Sequence, residues 1–329
     1  MKRLLWLAPV LLTACVPRAV AFDPDRMPDP AALGPNNAAT EWWYVSGYLP
    51  DTRQAFHWAQ FKVNYKGIPY FAAHLAITDL TTGKLTFLEE GRQDGKFSFP
   101  PLNVRQGDWT LTQSANTPAA PFDLRAGPLQ LTLMPEKGPV VHPPGYSGTP
   151  ATGQLYYQSV TRLNVTGTIG GQPARGLAWL DHQWGDQQPG RNALWDWFGV
   201  HLSDGSDLML YRVKDLSGAV VQLAGSEVGA DGVARAVGNV TMAPQRQWIS
   251  PSGRSYTLDW KVTSDRGDLT LNAVRDDQEL LSKTTSVAYW EGPVQGQGTW
   301  GGAPVTVLGM GEFVGGVLSK AEGGIFGSR

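Results

Sequence analysis

The sequence predicts a mainly β protein built from two similar antiparallel domains, and three observations carry that expectation. Short runs that alternate apolar and polar residues recur along the chain, the pattern of a sheet with one buried and one wet face. Turn residues fall between those runs. Gly 39 and Pro 24 together make about a fifth of the 329 residues, against roughly 12% in average proteins. No amphipathic helix of three turns can be drawn, and a length well above ~150 residues favours two domains.

At the N-terminus, Lys2 and Arg3 precede an apolar run from Leu4 to Leu12 that is too short to span a bilayer comfortably. Leu12-Thr13-Ala14-Cys15 then has the pattern of a bacterial lipobox, in which the cysteine is acylated (palmitate class) and becomes the new terminus. Residues 1–14 therefore read as a lipoprotein signal peptide and Cys15 as the lipidation site. Cys15 is also the one cysteine of the chain, so no internal disulfide is available. Several acyl chains on one residue suffice for stable anchoring. The expectation is an exported protein held at a membrane of the bacterial cell envelope. Residues 15–39, rich in Pro, Asp and Ala without an apolar period, read as a flexible tether. The net charge of −2 gives no electrostatic case for nucleic acid.

Order is expected from about Thr40. Strand candidates are Trp42 to Leu49, Leu129 to Leu133, Leu163 to Thr166, Leu258 to Val262 and Leu269 to Asn272. Turns are expected at Pro50-Asp51, Thr82-Gly83, Gly170-Gly171, Asp204-Gly205 and Ser252-Gly253. The segment from Gly138 to Gly153 carries four prolines and four glycines around His142 and Tyr146. It reads as a long irregular connection, of the kind used as a lid or binding loop or left disordered. Trp42 to Asp51 can be laid over Trp195 to Asp204, since both run from an aromatic strand into a turn at an Asp. That repeat divides the chain into domains 40–187 and 188–329, each opening with the same strand.

The chemistry-bearing cluster is Leu177-Ala178-Trp179-Leu180-Asp181-His182-Gln183-Trp184-Gly185, followed by Trp195-Asp196-Trp197-Phe198. Groups that move protons stand beside ring faces that can wall an apolar cavity, at the expected junction of the domains, where ligand sites often form. A carboxylic acid in such a pocket keeps its proton until a substrate arrives. Ring faces stabilise a cation by about 2 kcal/mol when desolvated, and a histidine can orient and deprotonate water. Strand alternation sends Trp195 and Trp197 one way and Asp196 and Phe198 the other, so those two pairs compete, and Asp181, His182 and Trp184 are the favoured group. The plainer alternative stays open. Asp181 would accept backbone hydrogen bonds, His182 would satisfy a buried carbonyl, and the tryptophans would simply fill the barrels. His201, at a strand end, is expected to be exposed. Gly-x-Ser-x-Gly and His-Glu-x-x-His are both missing, as are phosphate and dinucleotide loops. Chemistry without metal or cofactor is the simpler expectation.

Glu41-Trp42-Trp43-Tyr44 with Gly47-Tyr48-Leu49 resembles the opening motif of the carotenoid 1,2-hydratase (hydroxyneurosporene synthase) family and its secreted, lipocalin-like relatives, some labelled only as secreted hydrolases. Ala73 to Asp79, Tyr156-Tyr157 through Thr168, Gly176 to Gly185 with Trp195 to Phe198 and Leu208 to Arg212, and Tyr289-Trp290-Glu291-Gly292 resemble its later blocks. The likeness implies two consecutive lipocalin-like β-barrels around a long apolar ligand, carotenoid or lipid. It implies hydration of a terminal double bond, with His182, Trp184 and Tyr211 at positions suspected of catalysis, to which the cluster's own chemistry adds Asp181 as the catalytic acid. Trp43, Trp179, Trp195, Trp197 and His74 would line the ligand. Two departures stand out: Arg212-Val213-Lys214 precedes Asp215 where an acid is expected sooner, and Gly309 to Gly315 replaces a C-terminal Gly-Tyr pattern. A carrier or chaperone without a reaction, or a hydrolase using the same acid–histidine pair, are the alternatives.

Overall fold

The computed structural model describes residues 22–65 and 68–323; the expected signal peptide and Cys15 lie outside the described residues. Strands dominate, as two curled antiparallel sheets of the lipocalin-like kind. The first holds β1 Thr40–Leu49, β2 Gln54–Tyr65, β3 Ile68–Asp79, β4 Lys84–Arg92, β5 Lys96–Ser98, β6 Asn103–Gln106, β7 Trp109–Gln113, β8 Phe122–Ala126, β9 Leu129–Pro135, β10 Val140–Thr149, β11 Gly153–Ile169 and β12 Gln172–Gly185. The second holds β13 Leu194–Leu202, β14 Asp207–Lys214, β15 Val220–Val228, β16 Ala234–Val237, β17 Thr241–Ile249, β18 Ser255–Thr263, β19 Asp268–Ala273, β20 Glu279–Ser282, β21 Val287–Trp300 and β22 Ala303–Val317. Each expected turn is a turn, the first as a short 3₁₀ turn over Pro50–Thr52.

The repeat seen in one strand extends to the whole topology. The first sheet runs β4-β3-β2-β1-β12-β11-β9-β8-β7-β6-β5, the second β16-β15-β14-β13-β22-β21-β19-β18-β17. In both, the opening strand pairs with the closing one, and the strand before the closing one changes partner along its length. β11 pairs first with β10 and then with β9; β21 pairs first with β20 and then with β19. Each sheet curls around its own core. Trp43, Phe56, Trp58, Leu75, Phe122 and Leu180 fill the first, and Phe198, Leu210, Trp260, Leu271, Trp290 and Phe313 the second. Each such side chain taken from water stabilises the fold by roughly 1.5–3 kcal/mol.

β1, β12, β13 and β22 are buried on their second face as well, because the two sheets meet there. Trp42, Tyr44, Trp179, Trp197, Met209, Tyr211 and Met310 form a core between the sheets. Repeat-equivalent residues touch across it: Trp42 stacks on Trp195 at 6.1 Å and 16°, and Tyr44 meets Trp197 edge-on at 5.5 Å and 82°. Gly199 sits in the closest approach, where a β-carbon would come within 3.0 Å of the Trp179 ring and 2.5 Å of the Trp197 ring.

Two expectations fail. Residues 140–149 are not an irregular connection but a strand, antiparallel to β11, with its register broken between Val141 and Tyr146. Pro143, Pro144 and Gly145 fall in that break, where the ladder needs no donor; prolines are confined to such edges and bulges. Residues 22–39 are not a free tether but are docked on the first barrel. Leu33 is buried, its carbonyl accepts from Trp43 Nε1 at 2.8 Å, and the Ala32 carbonyl accepts from Gln158 Nε2 at 2.9 Å. Phe22 packs against Tyr146 and Tyr156. The segment is held by single anchors and backbone carbonyls, which leave no periodic signal.

A buried clasp joins the halves at one end. Asp207 of β14 accepts from Lys137 Nζ at 2.7 Å, Thr161 Oγ1 at 3.0 Å and Arg162 Nε at 3.0 Å, all from the first half, and pairs with His201 Nδ1 at 2.8 Å. His201 is therefore buried, not exposed as its strand-end position suggested. Burial disfavours the ionised carboxyl, but His201 and Arg162 outweigh it and hold Asp207 below the usual carboxylate range. Asp207→Ala would strand the buried Lys137 ammonium and the partly buried Arg162 guanidinium. It is expected to cost about 3–5 kcal/mol, read as a lowered urea midpoint; a change below ~1 kcal/mol would show that the clasp is dispensable.

Candidate active site

The face that the two sheets share carries a cluster of buried proton-bearing groups. Asp181 of β12 lies opposite Tyr44 of β1, and by the repeat Glu312 of β22 lies opposite Trp197 of β13. Glu291 of β21 is the cross-strand neighbour of Glu312. Three carboxyls thus enter one dry seam.

Their environments raise the pH at which they give up their protons. Burial pushes Asp181 up to about 7, even though Ser159, Trp179 and Tyr157 all donate to it. Burial likewise lifts Glu312 to about 7, opposed by the Trp195 indole N–H at 2.8 Å. Glu291 goes well above the carboxylate range, through burial and then the charge of Glu312, while the Tyr44 hydroxyl donates to it at 2.7 Å. The phenols of Tyr44, Tyr157 and Tyr289 are pushed up by burial and stay protonated.

Two hollows border these acids. The larger, with about 140 Å³ open to the centre of a water-sized sphere, lies between β1–β3 on one side and β21–β22 on the other. Trp42, Tyr44, His57, His74, Trp195 and Tyr289 wall it together with Glu312, and Gln188, Pro189 and Arg191 stand among its lining. The smaller, about 40 Å³ by the same measure, is bordered by Asp181, Tyr157, Trp197 and Tyr211. Trp42, Tyr44, Trp195 and Glu312 border both, so the hollows adjoin at the stacked indoles.

The structure separates residues that the sequence grouped. Asp181 faces the seam, but His182 and Trp184 do not share its side. Neighbouring residues on a strand point to opposite faces, and His182 faces the interior of the first barrel, where a cavity-lining role would require the seam face. There His182 stacks on Trp43 at 4.8 Å and Trp184 at 4.6 Å. It bonds Glu41 Oε1 at 2.9 Å and Gln158 Nε2 at 2.8 Å. Burial lowers His182 despite Glu41, and the pair is a packed brace. Glu41 resists its own burial through His182 and Lys62 and sits below its ordinary range. Trp43 points into the same barrel core and borders neither hollow.

Of the other expected residues, Trp195, Trp197, Tyr211 and His74 line the hollows. Trp179 sits behind Asp181 as a hydrogen-bond donor. Asp196 points into the second barrel and pairs with Arg212 and Lys214. Glu291, Glu312, Tyr44, His57 and Tyr289 were not singled out from the sequence. The repeat held the signal for Glu312: carried one strand further, it sets Glu312 at the register position of Asp181.

A sequence model of the AttH-like family matches residues 21–316. Among solved structures, a candidate AttH from Nitrosomonas europaea is 26% identical, covers 91% of this chain and 99% of its own, and superposes with a TM-score of 0.78. Kievitone hydratase from Nectria haematococca is 18% identical, with 93% and 95% coverage and a TM-score of 0.67. CghA in complex with Sch210972 is 14% identical, with 91% and 97% coverage and a TM-score of 0.57. At 18% and 14% identity the likeness is one of fold. No functionally curated protein matches the chain.

The raised carboxyls bear on stability. Glu312 contributes fully below its unfolded value and loses that contribution as pH rises through about 7. Glu312→Gln removes the titration. Relative to the unsubstituted protein it is expected to gain roughly 2–3 kcal/mol between pH 5 and pH 8, measured by urea unfolding at both values. An unchanged difference would place the carboxyl in water.

Proposed function

The chain belongs to the AttH-like family, and from that premise we propose that its seam takes in the unsaturated end of a long apolar molecule, isoprenoid or carotenoid in class, and adds water across a carbon–carbon double bond. One observation supports the reading above all: carboxyls that hold their protons near neutrality stand beside a ring-walled hollow. Protonating an unactivated alkene needs an acid still carrying its proton when the substrate arrives. Glu312 borders both hollows and is the donor, with Glu291 as its neighbour across the ladder. The cation left on the substrate lies against the Trp42 and Trp195 rings, whose faces stabilise it by about 2 kcal/mol or more out of water. Water then bonds the cationic carbon and releases one proton, so the product is the alcohol. Kievitone hydratase, a protein of this fold, is named for hydration.

Asp181 and Tyr211 shape the smaller hollow beyond the indole stack, while His182 and Trp184 support the first barrel. The full-length protein incubated with an acyclic carotenoid in detergent is expected to yield a product heavier by one water. Glu312→Gln should slow that reaction on the order of 10²-fold or more. Binding without any product would leave a carrier and remove the catalytic reading.

The same proposal places the protein at the cell envelope, anchored through an acylated Cys15. Labelled palmitate is expected to enter the unsubstituted chain in a bacterial host and to be absent from Cys15→Ser, which should leave the membrane fraction. Equal labelling of both chains would overturn the anchor.

A further inference from the structure

A file of hydrogen-bonded side chains runs from the protein surface to the larger hollow, and its polarity can be deduced from one end. At the outer end, Glu89 of β4 is partly exposed. Burial opposes its charge, but the Thr284 N–H and the Ser282 and Thr284 hydroxyls outweigh it and keep Glu89 ionised. A carboxylate only accepts. Ser282 therefore spends its single hydroxyl proton on Glu89 Oε2, at 2.8 Å, and Thr284 does the same at 2.8 Å. Neither hydroxyl has a proton left for His74 Nε2, which lies 2.8 Å from Ser282 and 3.1 Å from Thr284, so that nitrogen is the donor.

The His74 proton is thereby fixed on Nε2, and Nδ1 keeps a lone pair. Tyr289 OH, 2.8 Å from that Nδ1, donates to it. With its only proton committed, the Tyr289 oxygen accepts from His57 Nε2 at 3.3 Å. His57 is left with a bare lone pair on Nδ1. That atom is buried and has no hydrogen-bond partner among the described residues, on a ring that lines the hollow.

We propose that His57 is the proton acceptor of the cleft, its Nδ1 taking the proton of a water or ligand hydroxyl, with Tyr289, His74 and Ser282 as positioning residues and Glu89 as the outer terminus. The proposal rests on the hydration reading of the same cleft. Glu312 gives its proton to one alkene carbon. Water oxygen bonds the other carbon while one of its O–H bonds breaks toward His57 Nδ1. The Nε2 proton of His57 moves to the Tyr289 oxygen, that of Tyr289 to His74, that of His74 to Ser282, and that of Ser282 to Glu89. Glu312 ends as a carboxylate and Glu89 as an acid; return of the proton from Glu89 along the file to His57 Nδ1, and through a cleft water to Glu312, resets both carboxyls and restores the histidine tautomers. No cation rests on a buried imidazole, where its isolation from water would be costly. A water held by His57 is also aimed from the wall of β2, whereas Glu312 acts from β22.

The test is ¹⁵N NMR of the full-length protein labelled at histidine. His57 and His74 are both expected as single Nε2–H tautomers; a proton on His57 Nδ1 overturns the proposal. Tyr289→Phe removes the acceptor, so His57 should become a mixture of tautomers, and an unchanged spectrum counts against the file. In binding, farnesol is expected to be preferred over the hydrocarbon farnesene by about tenfold, a preference that His57→Phe should abolish; its survival would overturn the proposal. Lack of turnover on an acyclic carotenoid would end the hydration reading alone, with tautomer and farnesol preference still deciding His57. Turnover that persists in His57→Gln would end the proposal and leave the hydration reading standing.

Discussion

Everything in the seam depends on the pleat of four strands that, where the two sheets meet, have no wet face. A strand sends successive side chains to opposite sides. In most sheets one of those sides meets solvent. In β1, β12, β13 and β22 one side fills a barrel and the other meets the opposite sheet. A shift of one residue therefore moves a group between two different interiors. Asp181 and His182 are sequence neighbours, yet one serves the seam and the other braces a barrel core. Asp196 and Trp197 are divided in the same way. The register of the ladders, more than proximity in sequence, selects the chemistry.

Double burial has an electrostatic consequence. The seam and its surroundings hold proton-bearing groups of both kinds in their neutral forms. His57 is held well below its ordinary value by burial and then by the charge of His74. Burial also takes His74 down to about 4 and His142 to about 3. These imidazoles stabilise the fold fully above their unfolded value, and that contribution is lost as pH falls toward their folded values. Asp181, Glu312 and Glu291 act in the opposite sense and contribute most at low pH. Between about pH 4 and 7 the two sets oppose each other, which flattens the dependence of overall stability on pH. A site rich in neutral acids is thereby compatible with a fold that is not strongly tuned to one acidity.

Much of the architecture was legible in the chain. Alternating runs and turn pairs located strands and reversals, and the likeness of Trp42–Asp51 to Trp195–Asp204 anticipated a strand order that repeats, with β5 and β6 added at one edge of the first sheet. Parts that failed did so for local reasons. β10 carries prolines because it pairs only along β11 beside a break in register, and composition cannot tell such a strand from a loop. Residues 22–39 are anchored by Leu33 and by carbonyls, which have no sequence signature. In the site, the sequence found the seam from Asp181, Trp195, Trp197 and Tyr211. It missed Glu312 because Gly309 to Gly315 reads as a degraded motif when taken alone. The alternation used to set Asp196 apart from its tryptophans applies equally to Asp181 and His182, and would have divided that pair as well.

The repeat also explains why only one side of the seam opens widely. Ala59 faces Tyr44 across β1 and β2, and Tyr211 faces Trp197 across β13 and β14, so the two hold the same register position in their halves. On the first half that position is a methyl group, with His74 across from it on β3 and Ala72 two residues along, and the larger hollow forms over them. On the second half the phenol of Tyr211 occupies the equivalent space and reaches the Tyr146 carbonyl at 3.3 Å, leaving the smaller hollow. Two nearly equivalent faces thus become one open and one largely filled. The open one borders His57, Tyr289 and Glu312, the filled one Asp181 and Tyr157. A duplicated sheet gives two acids by symmetry, and side-chain size on the neighbouring strand decides which of them faces the roomier hollow.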